Sequence, residues 1–327
     1  MPPSMPASDA EAFPVRQVAD VPLRPVGERW LVEFLWARDA VGLLAAPPKV
    51  GKTWLAVELA LAVATGRPAL GRFTVCATGP VLFFGAEDDQ AALRARFEAV
   101  ALSRGVDLAA APVFFLDVSA LRLDRPEHLT KLRATIAALR PKLVVLDPFV
   151  RMVTVDENSS QEVSAVLGSL RAIQRDLHLA VLVVHHMRKA SSSHLGQQVR
   201  GSGDFAAWYD SALYLTRAGD GVILTPSHRG APDPQPVRLR LALEPAPHLE
   251  ISADGVPSLT ASAASDALDP LQAEVLDALT GTSAVSTESL RRQLHKRKEA
   301  VLRALHALRD AGRVHNDGQG WRRTDAA

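Results

Sequence analysis

Apolar positions along the chain fall into two alternating patterns. Short unbroken runs, "AVGLLAA", "PVLFFGAE", "PVFFLD", "KLVVLD" and "LAVLVVHH", alternate with longer segments in which apolar residues recur every three or four positions. Those longer segments are the stretch from Thr53, "DQAALRARFEAVALSRG", "PEHLTKLRATIAALR" and "SQEVSAVLGSLRAIQRDL". An unbroken apolar run suits a strand buried on both faces, and a 3.6-residue period suits a helix that covers it. The predicted class is therefore α/β, with a mostly parallel sheet between helices. After Gly201 the pattern changes to "SALYLTR", "GVILTPS", "VRLRLAL" and "HLEIS", separated by turn residues, which predicts antiparallel strands extending the sheet.

These patterns predict a core over residues 27–252, preceded by a disordered leader over residues 1–26. Residues 253–267, rich in Ala, Ser, Gly and Pro, read as a linker. Residues 268–327 carry three helical segments, "DPLQAEVLDALT", "STESLRRQL" and "KRKEAVLRALHALRDAG", and then "RVHNDGQGWRRT". Three short helices followed by a turn-centred strand pair outline a winged helix-turn-helix.

Composition changes this picture only locally. With 22% charged and 47% apolar residues, the 327-residue chain has an ordinary globular balance, and its net charge of +1 gives no global pull toward nucleic acid. From Ser286 to Ala327, however, ten Lys/Arg stand against five Asp/Glu, a local net charge of +5. Arg297, Lys298 and Arg303 are the candidate duplex-DNA contacts there; a protein-docking module with a solvated helical face is the competing reading. A single cysteine, Cys76, excludes an internal disulfide framework and fits a reducing compartment. The opening residues lack a basic region followed by an apolar one, and the most apolar helical run, Trp54 to Ala64, is short and broken by Glu58. The expectation is a cytoplasmic protein without a membrane segment.

The stretch "AAPPKVGKTW", Ala45 to Trp54, carries the chemistry. A phosphate loop needs backbone N–H groups converging on one concavity, a lysine for the outer phosphates and a hydroxyl for Mg²⁺. Gly51, Lys52 and Thr53 supply the second half of the pattern G-x-x-x-x-G-K-[ST], and they follow an apolar strand and open a helix, the context that gives the motif its meaning. Ala46 stands where the first glycine is usual. That position shapes the turn out of the strand, so Ala46 is acceptable there, and Pro47 and Pro48 remove only early donors. Lys49, Val50 and Trp54 complete the candidate nucleotide-binding set.

Asp147 closes the run "KLVVLD" and is the candidate Mg²⁺ partner of Thr53. Glu87, ending "VLFFGAE", is the candidate base that orients the attacking water, with Asp88 and Asp89 as competitors. Acidic residues at a helix start offer a structural alternative for all three. His185 and His186 end another buried strand; one is suited to sensing the terminal phosphate and the other to a structural role. The segment after them places Arg188, Lys189 and Arg200 among Ser and Gly, as in a basic loop that follows a phosphate backbone or a merely exposed surface loop.

In this order, "KVGKT", "FFGAEDD", "LVVLDPFVRMVTVDENSS", "VLVVHH" and "QVRGSGDF" strongly resemble the RecA-like ATPases of the RepA type, the hexameric plasmid replication helicases. They resemble the DnaB-type replicative helicases more distantly. The resemblance implies a RecA-like P-loop core and a ring-forming ATPase with ATP bound between subunits. It implies Lys52 and Thr53 at the phosphates, Glu87 as base, Asp147 at the metal and His186 as phosphate sensor. In such rings a neighbouring subunit supplies an arginine. This chain has Asp210 at the RepA-type position and Arg217 at the DnaB-type position, so Arg217 is the first candidate and Arg200 the second.

The leading expectation is an ATP- and Mg²⁺-dependent motor on single-stranded DNA, a hexameric replicative helicase of a plasmid, phage or other mobile element. A regulatory or recombination-type ATPase that binds duplex through the tail without unwinding it is the first alternative, since one scaffold hosts both uses. A non-hydrolysing interaction module is the second, and intact Lys52, Thr53, Glu87 and Asp147 count against it.

Overall fold

The computed structural model describes residues 15–154 apart from 24, together with 159–187, 204–252, 270–279, 284–310, 313–316 and 320–324. The chain divides into two compact units, Met1–Val256 and Pro257–Ala327.

In the larger unit, a short hairpin of β1 (Trp30–Val32) and β2 (Trp36–Ala37) precedes β3 (Val41–Ala46) and α1 (Lys52–Thr65). Next come β4 (Val81–Gly85), α2 (Gln90–Arg104), β5 (Val113–Phe115), α3 (Pro126–Leu139), β6 (Leu143–Asp147), α4 (Ser160–Leu177) and β7 (Ala180–His186). A short α5 (Asp204–Trp208) then leads into β8 (Ser211–Ala218), β9 (Gly221–His228), β10 (Val237–Ala242) and β11 (His248–Ile251). Nine strands form one sheet in the order β11-β10-β9-β8-β3-β7-β6-β4-β5. From β8 to β5 all pairings are parallel, and from β8 to β11 they are antiparallel. The α/β class with a mostly parallel sheet and an antiparallel extension is the one the apolar pattern predicts.

Side-chain alternation along the strands feeds two cores. On β3, Leu44 and Ala46 join the face covered by α1 and α2, where Leu55, Leu59 and Phe97 are buried. Val41, Leu43 and Ala45 join the opposite face, covered by α3, α4 and α5, with Ile136, Leu167, Leu170 and Phe205. Each such large side chain, fully buried, contributes about 1.5–3 kcal/mol. The strand β5 departs from the expectation of two-sided burial, with Phe114 45% exposed. It is the outermost strand of the parallel half, so no neighbour covers its far side. The β1–β2 hairpin was not foreshadowed, because runs of three and two residues are too short to show a period.

One glycine fixes how closely β8 approaches the strand that carries the phosphate loop. A Cβ on Gly42 would lie 1.7 Å from the backbone oxygen of Ser211, its pairing partner across β3 and β8. Only hydrogen fits there, and the approach brings the carboxyl end of β8 beside the loop.

The smaller unit contains α6 (Pro270–Ala278), α7 (Thr287–Gln293), α8 (Lys298–Asp310) and an antiparallel pair, β12 (Val314–Asn316) and β13 (Trp321–Arg323). The Ser286 hydroxyl caps α7 by accepting from the Ser289 N–H at 3.1 Å. Val275, Leu290, Val301, Leu305 and Trp321 form its own core. Among the described residues no helix is long and apolar enough to cross a membrane.

Candidate functional site

The loop between β3 and α1 is shaped by two left-handed residues, Lys49 (φ 61°) and Gly51 (φ 99°). The second is the N-cap of α1, a backbone position at which glycine has no Cβ penalty. The helix that follows directs its free N–H groups and the positive end of its dipole into the loop. Lys52 is buried and turns back so that its ammonium donates to the carbonyls of Ala46 (3.3 Å) and Pro47 (3.2 Å). Those contacts use carbonyls rather than amides, so the missing N–H of Pro47 costs nothing there. Burial pulls the Lys52 pKa down, opposed by the charges of Asp147 and Glu87.

Parallel pairing sets the other side chains at the same edge of the sheet. Gly85 pairs with Asp147 across β4 and β6, and Ala46 pairs with His186 across β3 and β7. The Thr53 hydroxyl donates to Asp147 Oδ2 at 2.7 Å. Burial pushes the Asp147 carboxyl up to about 6, against the Thr53 hydrogen bond and the Lys52 charge, with Glu87 and Asp88 adding repulsion. His186 Nδ1 stands 3.4 Å from Lys52 Nζ. Its neighbour His185 faces the other way, fully buried and stacked on Phe205 at a centroid distance of 4.3 Å. Strand alternation therefore sends one histidine to the loop and the other to the core.

A cleft of about 630 Å³ collects Lys49, Val50, Gly51, Lys52, Thr53, Trp54, Glu87, Asp147, His186 and Arg217. Every nucleotide-site residue read from the sequence borders it except Ala46, which reaches Lys52 through its carbonyl. Arg217 Nη2 donates to the Lys49 carbonyl at 2.8 Å, so this arginine lies against the loop of its own chain. The cleft's size suits a nucleoside triphosphate. A buried lysine, a hydroxyl–carboxylate pair and a helix N-terminus fit its phosphates and a Mg²⁺ ion, a cation that needs one or two protein ligands besides phosphate and water.

Three features had no signal in the spacing. Val222, Leu241 and Leu249 from the antiparallel extension form an apolar wall of the cleft. Arg96 on α2 also borders it, paired with Asp88 and 5.9 Å from the Trp54 ring. Arg151 Nε stands 3.4 Å from Glu87 Oε1.

The DNA-contact candidates Arg188, Lys189 and Arg200 lie outside the described residues. In the smaller unit, Arg297 is exposed and shares a concavity of about 510 Å³ with Arg291, Arg292, His295 and Lys296. Lys298 and Arg303 lie on α8, with side chains outside the described set.

A phosphate loop on an inner strand of a mostly parallel sheet, with an acidic strand end beside it, defines a P-loop nucleotide-binding site. A family model described as an AAA domain matches residues 7–192, more than half of the chain, and the chain belongs to that family. The structure is similar to the crystal structure of the RadB recombinase, at 19% identity over 65% of this chain and 91% of that one, with a TM-score of 0.48. It is also similar to a DnaB-like replicative helicase solved for its interactions with primase, at 14% identity over 63% of this chain and 56% of that one, with a TM-score of 0.47. Both likenesses are distant.

Proposed function

We propose that the protein is an ATP-hydrolysing motor on DNA, a ring-forming replicative helicase of a plasmid, phage or other mobile element, related to the RepA type. The observation that carries the ATPase chemistry is the convergence of Lys52, the Thr53–Asp147 pair, Glu87 and His186 on one cleft. The helicase role rests on the sequence resemblance to RepA-type enzymes.

In this reading the amides of Val50 to Thr53 and the Lys52 ammonium hold the β- and γ-phosphates. Mg²⁺, when bound by Thr53 and Asp147, supplies charge stabilisation to the leaving phosphates. Glu87 accepts the proton of the attacking water, His186 hydrogen-bonds the terminal phosphate, and Arg217 stabilises its developing charge in the same chain. Val222, Leu241 and Leu249 take the face of the base. Subunits arranged as a hexamer pass the resulting movement to the basic segment holding Arg188, Lys189 and Arg200, which follows single-stranded DNA.

A second reading has a specific observation in its favour. The basic concavity around Arg291, His295 and Arg297 belongs to a separate compact unit, which we read as a winged helix-turn-helix following a linker at residues 253–267. A regulatory ATPase uses such a unit, with Arg297, Lys298 and Arg303, to dock on duplex DNA. The test is ATP turnover of the full chain alone, with single-stranded DNA and with duplex, using Lys52→Ala as blank. Strong stimulation by single strands supports the helicase; stimulation by duplex alone supports the regulatory reading; a rate equal to the blank under all three conditions refutes both.

A further inference from the structure

Three carboxylates follow β4 in succession, Glu87, Asp88 and Asp89, and two of them are taken up by partners on α2. Asp89 is the N-cap of α2, where its side chain accepts from the Ala92 N–H at 2.8 Å. Asp88 is held at both oxygens by Arg96, whose Nη1 donates to Oδ2 and whose Nη2 donates to Oδ1 at 3.2 Å. Of the three, Glu87 alone borders the nucleotide cleft, while Asp88 and Asp89 border a different cavity. Arg96 lies nearly two turns into α2, and helix side chains lean toward the N-terminus, which brings its fork back to the residue before the cap. Its guanidinium also stands 5.9 Å from the ring of Trp54, the residue after Thr53 on α1. On the other side of Glu87, the Ala86 N–H donates to the Asp147 carbonyl at 2.7 Å. Both chain neighbours of Glu87 are thus tied toward the residues that fit the metal, Ala86 to Asp147 directly and Asp88 to the first turn of α1 through Arg96 and Trp54.

We propose that Arg96 is a positioning residue for hydrolysis: by clasping Asp88 against the first turn of α1, it sets Glu87 as the one carboxylate of the three that serves the attacking water. The inference rests on the reading of Glu87 as the base. Glu87 falls between β4 and α2, outside any strand or helix, so its place is set by what holds its neighbours. A base has to sit within hydrogen-bond reach of its water, and a displacement of about 1 Å can cost about 100-fold in rate. A guanidinium that engages both carboxylate oxygens fixes direction as well as distance, and this pair is partly sheltered, with side chains 27% and 31% exposed. Arg96 borders the cleft itself, so direct contact with the nucleotide is the competing role that the test has to separate.

The experiment measures ATP turnover and binding of a fluorescent ATP analogue on the full-length wild type, Arg96→Ala, Arg96→Lys, Asp88→Asn, the Asp88→Asn/Arg96→Ala pair, Glu87→Gln and the Glu87→Gln/Arg96→Ala pair. Arg96→Ala is expected to lower kcat about 10- to 100-fold and to leave KM and analogue affinity within about twofold of the wild type. Arg96→Lys, which keeps the charge but not the fork, should recover part of the loss. Asp88→Asn should lower kcat in the same way, and its pair with Arg96→Ala should be no slower than Arg96→Ala alone, because both remove one interaction. In the Glu87→Gln background, residual single-turnover hydrolysis should not fall further when Arg96 is replaced. A loss carried by KM or analogue affinity overturns the proposal in favour of direct nucleotide contact, and so does a further loss in the Glu87→Gln background. Additive losses in the Asp88→Asn/Arg96→Ala pair, or wild-type kcat in Arg96→Ala, overturn it as well. If Arg96→Ala does not fold, wild-type kcat in both Arg96→Lys and Asp88→Asn, the milder replacements, overturns it instead. Wild-type turnover in Glu87→Gln refutes the base assignment itself, a separate outcome.

Discussion

Replacing Asp147 with Asn isolates what the buried carboxylate costs the fold. Burial raises its pKa to about 6 from an ordinary value of 3.8, even though the Thr53 hydroxyl and the Lys52 ammonium pull the other way. A folded-state pKa above the unfolded one means that folding favours the protonated acid. The native state is therefore penalised above the folded pKa, and the penalty fades as pH falls toward the unfolded one. At about 1.4 kcal/mol per pH unit, the gap is worth about 3 kcal/mol at pH 7. Integrated over both titrations, it falls to about 1 kcal/mol at pH 4.5. Asn keeps the shape of the neutral acid and an oxygen that accepts from Thr53. Asp147→Asn should then be more stable than the wild type by about 3 kcal/mol at pH 7 and by about 1 kcal/mol at pH 4.5. Urea unfolding without Mg²⁺ or nucleotide measures this by tryptophan fluorescence, since Trp30, Trp36, Trp54 and Trp208 all lie in the larger unit. A variant no more stable than the wild type at pH 7, or an advantage that does not shrink on acidification, refutes the reasoning. The same substitution should remove Mg²⁺-dependent turnover, so that stability and activity move in opposite directions.

Two further outcomes follow from the geometry around β3 and β8. If Arg217 serves its own chain's nucleotide, as its 2.8 Å contact with Lys49 suggests, Arg217→Ala lowers turnover by about 10³-fold. Mixing that variant with Lys52→Ala then restores nothing; recovery in the mixture, where one subunit's arginine meets another's intact loop, would instead place Arg217 in trans. Gly42→Ala should destabilise the larger unit by about 3 kcal/mol or more, because its Cβ meets backbone that cannot move without parting β3 from β8. Gly168→Ala is the control: it sits within α4 with nothing within 4 Å of the added Cβ, and should stabilise by about 0.5–1 kcal/mol. Thermal melts of the two variants shifting in the same direction would contradict this.

The parts of the site that were legible in the sequence are those whose local pattern and chemistry coincide. Gly51, Lys52 and Thr53 join an apolar run to a helix, and Asp147 terminates a fully buried strand, so each is marked by a change in hydrophobic period at the residue that matters. His185 and His186 show where such reading ends. Both finish the same strand, and alternation guarantees that they face opposite ways, but which one meets the loop depends on the register that sets Ala46 beside His186. Register is a property of two distant segments and leaves no mark on either alone. Arg217 raises the same difficulty in another form: its place at the end of an apolar strand was readable, whereas its contact with the loop of its own chain follows from the close β3–β8 approach that Gly42 permits. Arg96, Arg151 and the apolar wall from β9, β10 and β11 carried no signal, because a surface arginine or an exposed leucine looks the same on any helix, turn or edge strand. Their involvement comes from the sheet order, which folds the antiparallel extension beside the phosphate loop and sets the turn after β6 next to the end of β4. Residues that contact phosphate and metal are thus constrained by chemistry that sequence can display, while those that orient them are selected by proximity that only the assembled sheet creates.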